Sequence, residues 1–381
     1  MFQFSYAIAL FCLVLFVNQS YSNWVIDDEG CTTPDRKTGN CIALTNCEPI
    51  LRVLRTIKRP VSTEVAQKLQ AYNCGVDSRR KVKVCCPSES IDLEGTNPLD
   101  VSNHRNKNLL PTDCGYIDTD NRIINGENAF LNEFPWMALL SYSGKKSGFK
   151  CGGTIINQNY ILTAAHCIAN LKNSRLVSVR IGEHSIQNET DCELRRKRKI
   201  KCNPPAIDLS IEQVIPHPDF NPATFTNDIG LLRVSKMNLQ QESTRPVCLP
   251  ITKTQRTLNY TNIVVTGWGI VNPDTEETAD ILQKVGLPVT DKATCADIYK
   301  QHNIELHNYQ LCAGGVRNKD SCPGDSGGPM VVPGVDSNDD AQYVQQGVVS
   351  FGPKYCGLPG YPGVYTLVIY YMDWILDTIR P

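Results

Sequence analysis

From about residue 114 onward, short apolar runs recur between turns rich in Gly, Pro and Asn. They read "WMALLSY", "GGTIIN", "YILTAA", "VSVRIG", "IVVTGWG", "QGVVSFG" and "GVYTLV". Runs of this length, dense in Val, Ile, Leu and Thr and bounded by turn residues, predict the strands of an all-β barrel or sandwich. The final run, "IYYMDWILDTIR", spaces its apolar residues at helical intervals and predicts a closing helix. Upstream, "PILRVLRT" and "STEVAQKLQAY" also carry helical spacing, and Ser62-Thr63-Glu64 resembles a helix start. Residues 87 to 113 show neither period. They are polar, with scattered Pro, Gly and Asn, and read as a linker. The first apolar run, Ala7 to Val17, has the length of a signal-peptide core and is followed by the small residues Ser20 and Ser22. Cleavage after Ser22 is expected. The competing reading is an uncleaved anchor, but the run is short for a membrane span and no later stretch reaches its length.

Composition adds little until the cysteines are counted. At 381 residues the chain is longer than one average domain, and 41% hydrophobic with 20% charged residues is ordinary for a globular protein. A formal net charge of −1 gives no hint of a nucleic-acid partner. There are 17 cysteines, and Cys12 lies in the first apolar run, leaving an even number for the rest. That usage places the protein in an oxidising, secreted setting. Cys31, Cys41, Cys47, Cys74, Cys85 and Cys86 crowd into a segment too short to bury a large core, so a small disulfide-stapled module is expected. Their spacing alone does not choose a connectivity. No His lies among them, which disfavours zinc.

Three motifs in the later region carry chemistry. "LTAAHC" holds His166, "NDIGLL" holds Asp228 directly before an apolar strand, and "GDSGGP" holds Ser326. Acyl transfer needs a hydroxyl nucleophile, an imidazole to take its proton and a carboxylate to fix the imidazole tautomer. Each residue alone is bland; the three together are not. The stretch "DSCPGDSGGP" also surrounds Ser326 with Asp320, Asp325 and a run of glycines, a cost in backbone entropy that calls for a reason.

Residues 123 to 381 resemble a trypsin-like serine protease domain of the chymotrypsin fold, through "IING", "TAAHC", "DIGLL", "TGWG", "DSCPGDSGGP" and "PGVYT". The six-cysteine module, with its adjacent Cys85-Cys86 pair, resembles a clip domain. The whole chain is therefore similar to the arthropod clip-domain serine proteases. The resemblance implies an all-β, chymotrypsin-like double β-barrel with a C-terminal helix, preceded by a small disulfide-rich clip domain. It implies a signal peptide over 1–22, a clip domain over 23–87, a linker and activation segment over 88–122 and a protease domain over 123–381.

The resemblance also assigns roles. His166, Asp228 and Ser326 would form the triad, and the amides of Gly324 and Ser326 the oxyanion hole, often the largest single electrostatic contribution to such catalysis. Asp320 would floor the specificity pocket and select Arg or Lys, with Gly352 and Gly363 leaving room in its walls. Cutting after Arg122 would free Ile123, whose ammonium would meet Asp325. The implied disulfides are Cys31–Cys85, Cys41–Cys74, Cys47–Cys86, Cys114–Cys248, Cys151–Cys167, Cys192–Cys202, Cys295–Cys312 and Cys322–Cys356. "GEHSIQNETDC" resembles the family's calcium loop, with carboxylates from Glu183 and Asp191 and carbonyls from Ser185 and Asn188. No catalytic metal is implied. Three positions depart from the family pattern: Pro323 at the pocket rim, Phe351 in place of the usual Trp, and Pro362 where sodium-activated members carry Tyr. They bear on subsite preference and imply no sodium activation.

Two further motifs stand apart. Asn188 in "NET" and Asn259 in "NYT" are glycosylation acceptors. The run "RRKRK" from Arg195 to Lys199 is a solvated loop, a nick site or a patch for an anionic partner. The expected protein is a secreted haemolymph zymogen in an innate-immune cascade of Toll-pathway activation or melanisation. Its expected partners are an upstream activating protease, a serpin, and a protein substrate such as a downstream zymogen, a cytokine precursor or a prophenoloxidase. The alternatives are a catalytically dead homologue acting as a cofactor, which Ser326 argues against, and a digestive trypsin, which leaves the clip module without a purpose.

Overall fold

A computed structural model describes residues 30–34, 37–56, 63–77, 81–88, 91, 98–117, 127–144, 147–195, 199–256, 258–272, 274–317, 319–336, 340–353 and 355–381. The expected signal peptide, Arg122, Ile123 and Arg196 to Arg198 lie outside these residues. The chain divides into two compact units, Met1–Glu94 and Gly95–Pro381.

The first unit is a four-stranded antiparallel sheet with two helices. Strands β1 (Gly30–Thr32) and β2 (Thr38–Ala43) lead into helices α1 (Glu48–Thr56) and α2 (Thr63–Ala71), then β3 (Asn73–Val76) and β4 (Val82–Pro87), in the order β1-β2-β4-β3. Both helices fall on the segments with helical spacing. Ile50 from α1, Leu69 from α2, Tyr72, Val84 and Ile91 close a small core around Cys47. Three disulfides, Cys31–Cys85, Cys41–Cys74 and Cys47–Cys86, staple it. By the chain-entropy account each contributes about 3–4 kcal/mol, which a core this small needs.

The second unit is built almost entirely of strands. After the short β5 (Glu127–Asn128) come β6 (Met137–Gly144), β7 (Gly148–Asn157) and β8 (Tyr160–Thr163). A single helical turn, α3 (Ala165–Ile168), precedes β9 (Ser174–Ile181). The hairpin β10 (Cys192–Arg195) and β11 (Lys199–Cys202) stands apart, and β12 (Ile207–Pro216) and β13 (Gly230–Val234) complete a closed barrel in the order β12-β13-β8-β7-β6-β9. The second half contains β14 (Asn262–Gly267), the small β15 (Ile270–Asn272) and β16 (Glu277–Thr278) pair, and β17 (Gln283–Pro288). Helix α4 (Lys292–Lys300), β18 (Gln310–Gly314), β19 (Pro329–Val335), β20 (Ala341–Phe351) and β21 (Pro362–Leu367) follow. They form a barrel-like sheet in the order β18-β21-β20-β19-β14-β17-β5. Every apolar run read as a strand is one. The closing run is a 3-10 turn followed by α5 (Met372–Thr378), which buries Met372, Ile375 and Leu376. Trp136, Tyr160, Ile155 and Ile161 are fully buried, each worth about 1.5–3 kcal/mol or more in transfer free energy.

The expectation of a linker needs correcting in its described part. Residues 98 to 117 belong to the second unit and are docked onto it. Val101 and Leu110 are buried in its core, the same core that holds Ile375 and Leu376. The Asn106 side chain donates to the carbonyl of Leu376 at 2.8 Å, and Asn157 donates to that of Leu109 at 3.1 Å. The buried His104 accepts from the Asn106 amide through Nδ1 at 3.0 Å, so its Nε2 carries the proton toward Asp377 at 3.1 Å. These anchors are single residues at irregular intervals, which is why no hydrophobic period marks them. Cys114–Cys248 ties the same segment down covalently. Beside it Gly115 adopts φ +63°, and a Cβ there would lie 2.1 Å from the Tyr343 carbonyl.

Candidate active site

Asp228 enters β13 fully buried, and its carboxylate is the most heavily partnered group of the site. Oδ1 accepts the His166 amide at 2.9 Å, and Oδ2 lies 2.8 Å from His166 Nδ1. The Ser350 hydroxyl also donates to Oδ2, and Thr366 Oγ1 donates to the Asp228 carbonyl at 3.0 Å. This arrangement holds the proton on Nδ1 and leaves Nε2 as a base. His166 stands on α3 with its side chain 23% exposed. The Phe225 ring meets its edge at 5.6 Å.

Ser326 arrives on the loop between β18 and β19, which packs against the strands leading to His166. Its carbonyl accepts the Gly152 amide at 2.8 Å, and the Gly152 carbonyl accepts from Thr163 Oγ1 at 2.8 Å. Gly327, at φ +78°, fits only because it lacks a side chain: a Cβ would lie 2.2 Å from Thr163 Oγ1 and 2.6 Å from the Gly152 carbonyl. Among the described residues no hydrogen bond joins Ser326 to His166, whose Nε2 lies 3.6 Å from Cys167 Sγ. A nucleophile–base contact that is loose without substrate is common. Cys167 and Cys151 are joined in a disulfide, so the cluster Cys151, His166 and Cys167 offers no thiolate to a metal.

Asp325 is wedged between glycines. Its Oδ1 accepts the Gly269 amide at 2.8 Å and its Oδ2 the Cys322 amide at 2.9 Å. Burial pushes its carboxyl up to about 6, against the pull of those two donors. Among the described residues no cation pairs with it. Nor do the amides of Gly324 and Ser326 have an intramolecular acceptor among those residues, so both are free to receive one.

Asp320, Gly352 and Gly363 come together. Asp320 Oδ1 accepts the Ser321 amide at 2.9 Å and Oδ2 the Gly357 amide at 3.1 Å. Burial raises its carboxyl to about 6, the two amides lower it, and the charge of Asp325 adds to the rise. A Cβ on Gly363 would sit 3.3 Å from Asp320 Oδ1, and one on Gly352 would face Gly363 at 3.6 Å. The two glycines thus face each other beside one carboxylate, with backbone and no side chain between them. Ser321 Oγ and the Tyr365 hydroxyl, 3.0 Å apart, lie beside it. Ser350, Ser321, Tyr365 and Gly269 were not singled out from sequence. "VVSFG" and "TGWG" held the signal for Ser350 and Gly269, while Ser321 and Tyr365 carry none beyond their neighbours.

In the acidic loop, Glu183 and Asp191 are both buried. The His184 amide reaches Glu183 Oε1 and Asp191 Oδ2, each at 3.0 Å, and the Ser185 amide reaches Asp191 Oδ1 at 3.2 Å. Burial raises the Glu183 carboxyl, the His184 amide lowers it and the Asp191 charge raises it further. Arg180 touches Glu183 at 3.4 Å but is committed to Asp208 through two shorter bonds. The Ser185 carbonyl accepts the Asn188 amide at 3.0 Å. Asn188 and Asn259 are both exposed. The disulfides Cys192–Cys202, Cys295–Cys312 and Cys322–Cys356 complete a set of eight, the same pairs that the resemblance implies.

The pattern described as Trypsin matches residues 123–375, and that of the Regulatory CLIP domain of proteinases matches 31–86. Serine protease ea of Drosophila melanogaster is 38% identical over 363 residues, covering 92% of this chain and 91% of that protein. Phenoloxidase-activating factor 1 of Holotrichia diomphalia is 35% identical over 379 residues, covering 97% and 98%. Among solved structures, that of the Drosophila Grass clip serine protease of the Toll pathway aligns with a TM-score of 0.64 at 33% identity, over 92% of this chain and 97% of that one.

Proposed function

Since this chain belongs to the trypsin-like serine proteases that carry a regulatory clip domain, we propose that it is a secreted zymogen which, once cut after Arg122, cleaves protein substrates after Arg or Lys. The observation that carries this reading is the Asp228–His166 pair across from the Ser326 loop, with Asp320 closing a glycine-walled pocket beside it. In the reaction, Asp320 holds the guanidinium or ammonium of the substrate. Ser326 Oγ attacks the adjacent carbonyl carbon as its proton passes to His166 Nε2. The Gly324 and Ser326 amides bind the oxyanion, and Asp228 stabilises the imidazolium. His166 then protonates the departing amine. Water then attacks the acyl-enzyme, giving its proton to His166 and its oxygen to the carbonyl carbon; the bond to Ser326 Oγ breaks, and His166 returns the proton to Oγ as the acid product leaves.

Activation follows from the Asp325 carboxylate. A buried acid with a raised pKa and two amide donors is short of positive charge, and the Ile123 ammonium released by cleavage would supply it. The Glu183 and Asp191 carboxylates fit a calcium ion for a similar reason, because both are buried, each raises the other's cost of charge, and the arginine that touches Glu183 is already committed to Asp208. Glu183, Asp191 and the carbonyls of Ser185 and Asn188 would hold it, and the ion would neutralise the loop. The cascade role rests on relatives whose names speak of melanisation, phenoloxidase activation and the Toll pathway. An upstream activating protease, a serpin and a downstream protein substrate are the partners this role requires. The test is to cut the purified zymogen after Arg122 and offer it a cytokine precursor, a prophenoloxidase and a downstream clip zymogen, then map the cleavages. Cleavage after Arg in one of them supports the reading. A correctly cut enzyme that hydrolyses neither these nor a small arginine amide overturns it in favour of a catalytically dead cofactor.

A further inference from the structure

The charge of the chain is unevenly distributed. Between Cys31 and Cys86 stand eleven Lys and Arg against four Asp and Glu, a net of +7, while the whole chain carries −1. We infer that the clip unit is a docking module for an extended polyanion, a polysaccharide bearing closely spaced anionic groups.

Several of these bases are described. Arg52 and Arg55 are exposed one turn apart on α1, Lys81 is exposed just before β4, Lys83 lies within β4, and Lys37 is exposed before β2. Glu48 and Asp77 are both engaged. Glu48 pairs with Arg55 at 3.0 Å, and Asp77 Oδ1 accepts the Lys81 amide at 2.8 Å, closing a turn. No single base need be unpaired. Were every acid in the module to neutralise one base, seven cations would remain.

The apolar side chains decide the kind of partner. A protein epitope is usually anchored by buried aromatic or aliphatic residues at its centre. Here the apolar face of α1 is spent inside the unit, where Ile50, Val53 and Leu54 pack into its own core. Among the described residues of the unit, Val76 alone is a large exposed hydrophobic. Charge without an apolar anchor suits a repeating anionic chain, bound by many exchangeable ion pairs and counterion release. An acidic membrane would offer charge too, but it gains most from an apolar face, which the described residues of this unit do not present.

The test uses the full-length zymogen carrying Ser326→Ala, so that binding is read without proteolysis. It should bind immobilised heparin at about 0.1 M salt and not neutral dextran, with an affinity that falls linearly in log–log form as salt rises. The double variants Arg52→Gln/Arg55→Gln and Lys81→Gln/Lys83→Gln, which keep side-chain length while removing charge, should each weaken binding several-fold and lower the salt slope while the melting temperature falls by no more than the loss of the exposed Arg55–Glu48 pair. Neutralising the Arg195 to Lys199 run should leave binding intact. Polygalacturonate against heparin separates carboxylate from sulfate preference. The inference is overturned if heparin does not bind at low salt, if the loop variant rather than the clip variants loses it, or if phosphatidylserine vesicles capture the chain while heparin does not.

Discussion

Gly269→Ala is a single methyl group added where the structure has no room for one. A Cβ on Gly269 would lie 2.5 Å from Asp325 Oδ2, 2.7 Å from Oδ1 and 2.6 Å from Cγ. Contacts below 3.0 Å do not persist, so the carboxylate must retreat until they are relieved. Little slack exists to absorb this. The same carboxylate is held by the Cys322 amide, and Gly324 packs so that its own Cβ would lie 2.8 Å from Gly269 Cα. Asp325 directly precedes Ser326, so the displacement passes to the amides of Gly324 and Ser326. Losing one oxyanion donor costs about 10²–10³ in rate, and a misplacement of about 1 Å about 10². The cut variant should therefore lose roughly 10²-fold or more in kcat on an arginine amide substrate. The His166–Asp228 pair, on other elements, should be untouched. Stopped-flow and steady-state kinetics on the cut enzyme, with mass spectrometry to verify cleavage after Arg122, measure this. A kcat within a factor of two of wild type would refute the packing argument.

Asp320→Ser should cost about 3–5 kcal/mol in binding of a basic side chain, the penalty for stripping a buried cation of its partner, and near-normal kcat/KM on arginine substrates would exclude Asp320 as the pocket floor. For the same reason benzamidine affinity, measured on Ser326→Ala, should weaken as pH drops through about 6 and Asp320 takes up its proton; a flat profile between about pH 7 and 5 would contradict this. In the uncut chain Asp325 binds its proton more tightly folded than unfolded, so it contributes stability that is fully present below about 4 and lost as pH rises through about 6. That amounts to about 3 kcal/mol, since each tenfold gain in proton affinity is worth about 1.4 kcal/mol; the melting temperature of Asp325→Asn should lack this slope, and identical slopes would remove the assignment. Millimolar calcium should stabilise the fold by about 3–4 kcal/mol at a few hundred times Kd and so raise the melting temperature relative to chelator. Glu183→Gln should abolish the difference, and superimposable wild-type curves would discard the ion.

The seven apolar runs read as strands were legible because each has at least one face in a core, and burial writes a hydrophobic run into the sequence. Residues 98 to 117 were not legible, since Val101, His104 and Leu110 dock as isolated pegs. The residues proposed as catalytic were legible as motifs, but their supports were only partly so. Ser350 reaches Asp228 from β20, far along the chain, and although "VVSFG" marks its strand, nothing in that run names the carboxylate it meets. Ser321 and Tyr365 meet beside Asp320 in the same way. Lys284 is the clearest omission. It is 1% exposed, paired with Glu133 through both carboxylate oxygens at 2.7 and 2.8 Å, and lies over the Phe130 ring. In sequence it looks like any strand lysine, because its partner is set by β17 meeting the turn after β5.

The glycines around Ser326 have a packing reason beyond freedom of φ. Gly267 and Gly269 on one segment and Gly324 on another leave the hollow that Asp325 fills, while Gly152 and Gly327 let the serine loop lie flat against the strand before His166. Two routes from the acidic loop reach the same hollow. The His184 carbonyl accepts from Trp268 Nε1 at 3.1 Å, one residue before Gly269. Ser185 Oγ and the Gln187 amide hold the Asp280 carboxylate at 2.9 and 2.8 Å, and the neighbouring Ala279 amide donates to the Gly269 carbonyl at 3.0 Å. Gly269 is thus fixed on one side by the loop that carries Glu183 and Asp191 and on the other by the carboxylate of Asp325. Tight packing transmits a shift at such a point instead of absorbing it. The loop's charge balance and the oxyanion amides therefore meet at one residue whose side chain is a hydrogen atom.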